Sequence, residues 1–229
     1  MILTLYPVFR KWSERGSVYL ISDTHFYDSD RALMGYDISE REQIDILKRY
    51  CHRNDTLIHL GDVGDPSLLA EIKSYKVLIM GNHDQSVTKF QKKVFMTDLD
   101  DVSEEERKKK LQTGEVEYIS YEFHEPFVRG YRSNHLFDEV YSGPLWIGEK
   151  LVLSHEAICV ESGVTRRPVA FNIHGHDHSG EYYRDDYHLN LVQNLFGYEP
   201  LSLSEFIRDG FLKPIKSVHR EAIDYMSKG

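Results

Sequence analysis

Gly81-Asn82-His83-Asp84 follows the apolar run Lys-Val-Leu-Ile-Met at residues 76–80, and the other motifs of the chain are arranged around it. A short apolar run rich in branched residues and stopped by glycine predicts a buried parallel strand. We therefore expect the four residues to lie on a loop at the carboxyl end of that strand, where open α/β sheets bind their ligands. Taken alone, the stretch is more typical of a polar turn that closes a strand.

Four other apolar runs end in the same way, at residues 18–21, 56–60, 151–153 and 170–173. The polar residues that follow these runs are Asp23 and His25, Asp62, His155, and His176 and His178. A single Asp or His after a strand is usually a turn residue. Five strand ends that supply Asp, Asn and His, with no Cys, predict a metal site built from the connecting loops.

Together these blocks resemble the motif set of the calcineurin-like metallophosphoesterases, in the order that the family shows. The matching blocks are Asp23-x-His25, Gly61-Asp62, Gly81-Asn82-His83-Asp84, His155 and Gly175-His176-x-His178. They span residues 23–178, which is most of the chain. The resemblance implies an α/β (α+β) fold, a four-layer sandwich of two mixed β-sheets flanked by helices.

The resemblance also implies a dinuclear metal site. Its ligands would be Asp23, His25 and His178 for one ion, Asn82, His155 and His176 for the other, and Asp62 as a bridge. Mn²⁺ is the favoured ion, and Fe, Zn²⁺, Ni²⁺ or Co²⁺ also suit such ligands. The implied reaction is hydrolysis of a phosphoester by a metal-bridging hydroxide.

Two further roles follow from the resemblance. His83, with Asn82, would contact the phosphate and assist the leaving oxygen, and Asp84 would orient His83. Asp65 matches the second aspartate of its block, although a helix cap explains it equally well. His174 matches no ligand position, and we interpret it as a packed or supporting histidine.

One difference from the family's motifs limits the class of phosphoester that we expect as substrate. Its phosphoprotein-phosphatase branch usually has an arginine soon after Gly-Asp, whereas Val63, Gly64 and Asp65 follow Gly61-Asp62 here. A phosphodiester is therefore favoured over a monoester. Further candidate contacts to the substrate are Arg31, Arg129 and Arg132. The alternatives are a nuclease of the same superfamily and a catalytically silent metal-binding interaction module.

Local patterns predict the elements that carry these blocks. Ser39 and Glu42 have the spacing of a capping box, and Ile44, Leu47 and Cys51 recur on one helical face. Asp65-Pro66 predicts the start of a second helix, which makes residues 18–80 a βαβαβ unit. Residues 1–5 predict an edge strand, residues 145–153 a hairpin, residues 188–193 a strand and residues 217–226 a terminal helix. We expect one domain over residues 1–229, with an insertion at about 90–136 that is either a solvated helix or a cap over the site.

Composition limits the remaining choices. The 229 residues are 41% hydrophobic and carry a formal net charge of −9, which fits one folded domain and weakens the case for broad binding of nucleic acid. No apolar run reaches the length of a membrane span, and we find no signal peptide. The two cysteines, Cys51 and Cys159, indicate a reducing, cytoplasmic setting. The expected partner is a phosphoester small molecule or a nucleotide, and the oligomeric state stays open.

Overall fold

The computed structural model describes residues 3–4, 15–87, 90–91, 122–123, 137–141, 143–179 and 185–227. The strands are β1 (Leu3–Thr4), β2 (Val18–Ile21), β3 (Thr56–His59), β4 (Tyr75–Ile79), β5 (Phe90–Gln91), β6 (Glu122–Phe123), β7 (Glu139–Tyr141), β8 (Leu145–Trp146), β9 (Leu151–Leu153), β10 (Phe171–His174), β11 (His188–Asn190) and β12 (Leu201–Ser202). The helices are α1 (Glu40–Tyr50), a 3₁₀ helix (Pro66–Glu71), α2 (Asn82–Val87), α3 (Leu203–Arg208) and α4 (Val218–Met226).

The first sheet has the strand order β12-β2-β3-β4-β7. β2, β3, β4 and β7 run parallel, and β12 is antiparallel to β2 at the edge. α1 connects β2 to β3, and the 3₁₀ helix connects β3 to β4. The predicted βαβαβ unit is therefore confirmed, with a 3₁₀ helix as its second crossover.

The second sheet has the order β1-β8-β9-β10-β11 and is also mixed. β8 and β9 are antiparallel, with Leu145 opposite Leu153, as predicted for a hairpin. β9, β10 and β11 run parallel. β1 pairs with β8, so the predicted edge strand is confirmed.

Two apolar cores hold these layers together, and β3 contributes to both. Ile58 faces the second sheet and joins one core with Leu153 and Ile173. The preceding residue of β3, Leu57, points the other way and joins Leu47 of α1 in a second core. Neighbouring strand residues point to opposite faces, so β3 is buried on both sides. These contacts define three layers, one of helix and two of β-sheet. The fourth layer that the resemblance implies is not confirmed.

Side-chain caps begin four helices, namely α1, the 3₁₀ helix, α3 and α4. Ser39 accepts from the Glu42 amide, and the Glu42 side chain accepts from the Ser39 amide, which is the predicted capping box. Asp65 accepts from the Ser67 amide at the start of the 3₁₀ helix (2.9 Å). Ser217 caps α4, where a terminal helix was predicted.

The prediction of a loop at residues 81–84 is wrong, because α2 begins at Asn82, one residue after Gly81. Of the predicted insertion, the structure describes only β5 and β6, which pair antiparallel. Arg129 and Arg132 lie outside the described residues. No described helix is long and apolar enough to cross a bilayer.

Candidate metal centre

Strand ends from both sheets meet at one place. The Asp23 amide donates to the Gly61 carbonyl (2.9 Å), which joins the ends of β2 and β3. The Gly175 amide donates to the His155 carbonyl (2.9 Å), which joins the ends of β9 and β10. Nδ1 of His155 lies 2.9 Å from the Leu60 carbonyl and links the two sheets. Polar residues far apart in sequence are thereby brought into one cluster.

A first group of possible ligands comprises Asp23, His25 and His178, which can place one ligand atom each within 4.8 Å of one another. Oδ1 of Asp23 lies 3.4 Å from Nε2 of His178 and 3.8 Å from Nε2 of His25. The other carboxylate oxygen, Oδ2, accepts from the His176 amide (3.0 Å) and from the Ser22 hydroxyl. Oδ1 therefore faces the two imidazoles.

The atoms that face one another in this group are buried without hydrogen bonds. Oδ1 of Asp23 and Nε2 of both His25 and His178 have no hydrogen-bond partner among the described residues. Burying a polar atom without a partner costs about 1–3 kcal/mol, so native proteins rarely do it without a reason. A divalent cation bound between these three atoms would satisfy all of them.

A second group comprises Asp62, Asn82, His155 and His176. Nε2 of His155 lies 3.3 Å from Oδ2 of Asp62, 2.9 Å from Oδ1 of Asn82 and 3.1 Å from Nδ1 of His176. Because Nδ1 of His155 donates to the Leu60 carbonyl, Nε2 is the ring nitrogen that is left for a metal. One oxygen anion, one amide oxygen and imidazole nitrogens thus converge, which is a ligand set for a borderline divalent metal.

Asp62 stands between the two groups. Its Oδ2 is 3.3 Å from Nε2 of His155 and 3.8 Å from Nε2 of His25. Its Oδ1 accepts from the His83 amide (2.9 Å), which fixes the orientation of the carboxylate. One carboxylate oxygen is therefore within reach of both groups, as a bridging ligand must be.

Burial and the neighbouring charged groups shift the pKa values of the site. Burial raises the pKa of Asp23, but the surrounding histidines outweigh it and the net pKa lies below the usual range. Burial lowers the pKa of His155, but the Asp62 and Asp23 carboxylates outweigh it and raise the pKa to about 9. In the metal-free site, protons on the imidazoles are therefore stabilised by the neighbouring carboxylates. A metal ion that binds there must displace these protons.

The backbone at the ligands is unusual. Asp23, His25, Asp62 and His176 all have left-handed φ angles, of 53°, 43°, 55° and 71°. A residue with a Cβ rarely adopts this region, and such residues persist where the surroundings over-determine them, often at functional sites. The turns after β2, β3 and β10 are thus held in conformations that aim these side chains at one point.

Two glycines allow the loops to approach the ligands closely. A Cβ at Gly175 would collide with the carboxylate of Asp23 and with Ser22. A Cβ at Gly81 would collide with the backbone and carboxylate of Asp62. Only glycine fits at either position without moving a ligand.

Comparison with known proteins identifies the family of this chain. The model of the calcineurin-like phosphoesterase superfamily domain matches residues 17–193, which contain all the ligands above. The chain belongs to the calcineurin-like phosphoesterase superfamily. Comparison with curated protein sequences gave no match. Among solved structures, a protein of unknown function from Aquifex aeolicus is similar, with 22% identity, a TM-score of 0.48, and coverage of 84% of this chain and 98% of that one.

Members of the superfamily are generally metal-dependent phosphoesterases that bind divalent cations. The structure of this member brings all seven predicted ligands together in two groups joined by Asp62. His83 is exposed beside the first group, its ring centroid 5.3 Å from that of His25. Asn82, the preceding residue, turns instead toward His155 in the second group.

Asp84 and Arg31 make contacts that the sequence analysis did not predict. The Asp84 carboxylate accepts from the amides of Gly81, Asp62 and Val63 at 2.8, 3.0 and 3.1 Å, so it braces the bridging ligand. Burial raises the pKa of Asp84 to about 6, against the opposite effect of these amides. Arg31 is buried, with its guanidinium bonded to Gln43 and to the Thr24 carbonyl, so that it supports the loop after β2 rather than facing substrate.

Two supporting residues escaped the sequence analysis. Oδ2 of Asp28 lies 3.1 Å from Nδ1 of His25, which leaves Nε2 of that ring for a metal. His59 lies beneath the site: its Nδ1 accepts from the Gly61 amide (3.1 Å), so its Nε2 donates to the Thr24 hydroxyl (2.9 Å). The spacing of Asp28, three residues after His25, was a usable signal; His59 had none, because its partner Thr24 lies 35 residues away.

Proposed function

We propose that this chain is a dinuclear-metal phosphodiesterase that acts on a small phosphoester or nucleotide, with Mn²⁺ as its ion. The observation that carries the proposal is the position of Oδ2 of Asp62, within 3.8 Å of an imidazole nitrogen of each ligand group. When bound, two such ions supply a nucleophilic hydroxide at neutral pH and polarise the phosphoryl oxygens. Their ligands would be Asp23, His25, Asp62, Asn82, His155, His176 and His178.

His83 is proposed as the proton donor to the leaving oxygen. It is exposed, unlike His25 and His155, and it follows Asn82 at the start of α2. Its backbone amide is bonded to Asp62, which holds the residue beside the proposed bridging ligand. A histidine in this position can deliver a proton without serving as a ligand.

A diester is favoured because, among the residues that the structure describes, few fixed cationic donors lie near the ligands. Val63 follows the Gly61-Asp62 block where the phosphatase branch leads to arginine, and it is buried. The guanidinium of Arg31 is occupied by Gln43 and by backbone carbonyls. A diester carries one negative charge at phosphorus and needs fewer such donors than a dianionic monoester.

The test is to compare kcat/KM for bis(4-nitrophenyl) phosphate and for 4-nitrophenyl phosphate at equal Mn²⁺. We expect the diester to be preferred. A preference for the monoester would overturn the assignment as a phosphodiesterase and leave the metal site standing.

His83→Ala tests the proton donor. Turnover should fall about 10²- to 10⁴-fold for a diester with an alkoxide leaving group, and much less for 4-nitrophenolate, which departs without a proton. Metal content should stay at the wild-type level. His155→Ala should lose metal and both activities together, and the exposed His219→Ala serves as the control. Loss of metal in His83→Ala, or an unchanged alkoxide rate, would contradict the role.

A further inference from the structure

A cleft of about 220 Å³ opens beside the second ligand group, at the Asn82 and His155 end of the site. Apolar residues form much of its wall, among them Met80, Pro144 and Ile158. Among the described residues of its wall, the charged group other than the metal ligands is the exposed Glu156. The cleft therefore combines an apolar surface with one carboxylate, directly next to the place proposed for phosphate.

The wall that carries Glu156 is held by hydrogen bonds to two buried side chains. The Ser154 hydroxyl donates to the Glu156 carbonyl (2.6 Å), and the Ile158 amide donates to Oδ1 of Asn172 (2.8 Å). Nδ2 of Asn172 donates in turn to the Ser154 hydroxyl (2.8 Å). Ser154 and Asn172 are both buried, so β10 fixes residues 154–158 from behind. A wall held in this way is preorganised for binding.

The two ends of the site differ in what they offer a substrate. His83 packs beside His25 at the first ligand group, whereas the cleft borders Asn82 and His155 at the second. If the leaving oxygen departs toward His83, the other ester arm points toward the cleft. An anionic arm would meet the Glu156 carboxylate there, and like charges brought together disfavour binding.

We propose that this cleft binds the ester arm that stays on phosphorus, and that Glu156 selects apolar arms that are neutral or cationic over arms that carry a second anion. The inference rests on the proposed phosphodiesterase function and narrows its substrate class. Substrates with an additional phosphate or carboxylate on the retained arm would be poor ones. An aromatic ring with an amino or hydroxyl group would fit both the apolar wall and the carboxylate.

Binding measured apart from turnover tests this. The probes are 4-(aminomethyl)phenylphosphonate and 4-carboxyphenylphosphonate, titrated by calorimetry into the Mn²⁺-loaded protein. Both present a phosphonate on a phenyl ring, and they carry at the para position either a cationic aminomethyl group or an anionic carboxylate. We expect the cationic probe to bind about fivefold more tightly, as for the stronger exposed charge pairs.

Glu156→Gln should abolish this ratio of dissociation constants, and Glu156→Lys should invert it. Glu149→Gln, in the exposed turn between β8 and β9, should retain the wild-type ratio. A ratio that does not respond to Glu156 would overturn the inference, whatever the protein hydrolyses. Failure to hydrolyse any diester would overturn the proposed function instead, and the ratio would still report on the cleft.

Discussion

At the scale of single residues, Asp62 connects the two ligand groups. Because its Oδ2 lies near His25 and His155, Asp62→Asn should reduce metal binding at both positions. The wild-type protein should hold about two ions per chain, as two-metal esterase sites do, and the variant fewer than one. Metal analysis after purification without chelator measures this.

Two further variants serve as controls for the metal content of Asp62→Asn. His178→Ala removes a ligand of the first group alone and should leave one ion. Asp65→Asn alters the cap of the 3₁₀ helix three residues from Asp62, and should leave metal content unchanged. One ion retained by Asp62→Asn would show that Asp62 is not a bridge.

His59 makes a prediction about pH. Burial lowers the pKa of His59 to about 3, and in an unfolded chain a histidine has a pKa of about 6.5. Between these values the unfolded state binds the extra proton, so the free energy of unfolding falls as pH falls below 6.5. The contribution approaches about 1.4 kcal/mol per pH unit.

Replacing His59 with Gln removes this titration and retains a donor toward Thr24. Urea unfolding of the metal-free protein between pH 6.5 and 4.5 should show a shallower loss of stability in His59→Gln than in wild type. His52→Gln, whose side chain is 71% exposed, should follow the wild-type slope. Equal slopes for wild type and His59→Gln would mean that His59 is charged in the folded protein.

At the scale of elements, the turns after the strands depend on close contact between loops. A Cβ at Gly175, between β10 and the ligands His176 and His178, would collide with the Asp23 carboxylate. Gly175→Ala should therefore displace Asp23 and weaken metal binding. Gly163→Ala is the control, because a Cβ there has no atom within 4 Å. Calorimetric titration with Mn²⁺ distinguishes the two, and equal affinities would contradict the packing argument.

Some helices could be predicted from local sequence patterns, and one could not. The capping box at Ser39 and the cap at Asp65 were predictable because each involves residues two or three positions apart. α2 was not predictable as a helix, since its first turn includes Asp84, whose carboxylate is bonded to Asp62 and Val63 some twenty residues earlier. Contacts of that range depend on how β3 and β4 pair.

At the scale of the whole molecule, metal should couple the two sheets. Asp23 and Asp62 follow strands of the first sheet, and His155 and His178 follow strands of the second. A ligand that binds only the folded state adds about 2.7 kcal/mol when present at 100 times its dissociation constant. For a chain of this size, that corresponds to a rise in Tm of about 5–10 °C.

Thermal unfolding with added Mn²⁺ and with EDTA measures this coupling. The rise should be lost in Asp62→Asn and kept in Asp65→Asn. If Mn²⁺ left the Tm of the wild-type protein unchanged, the assignment of these residues as ligands would be contradicted.

Sequence reasoning was enough to predict the order of the motif blocks, the family, the βαβαβ unit and the residue types of the metal site, because strand periodicity, caps and short motifs are local. The contacts of the polar atoms, by contrast, depend on the folded arrangement of the two sheets. The His176 amide bonds to Asp23, 153 residues away, and such partners follow from the packing of one sheet on the other. For the same reason, the spacing of residues along the chain could not indicate that the Asp84 carboxylate accepts from the Asp62 amide. Nor could it indicate that the Arg31 guanidinium is bonded to Gln43.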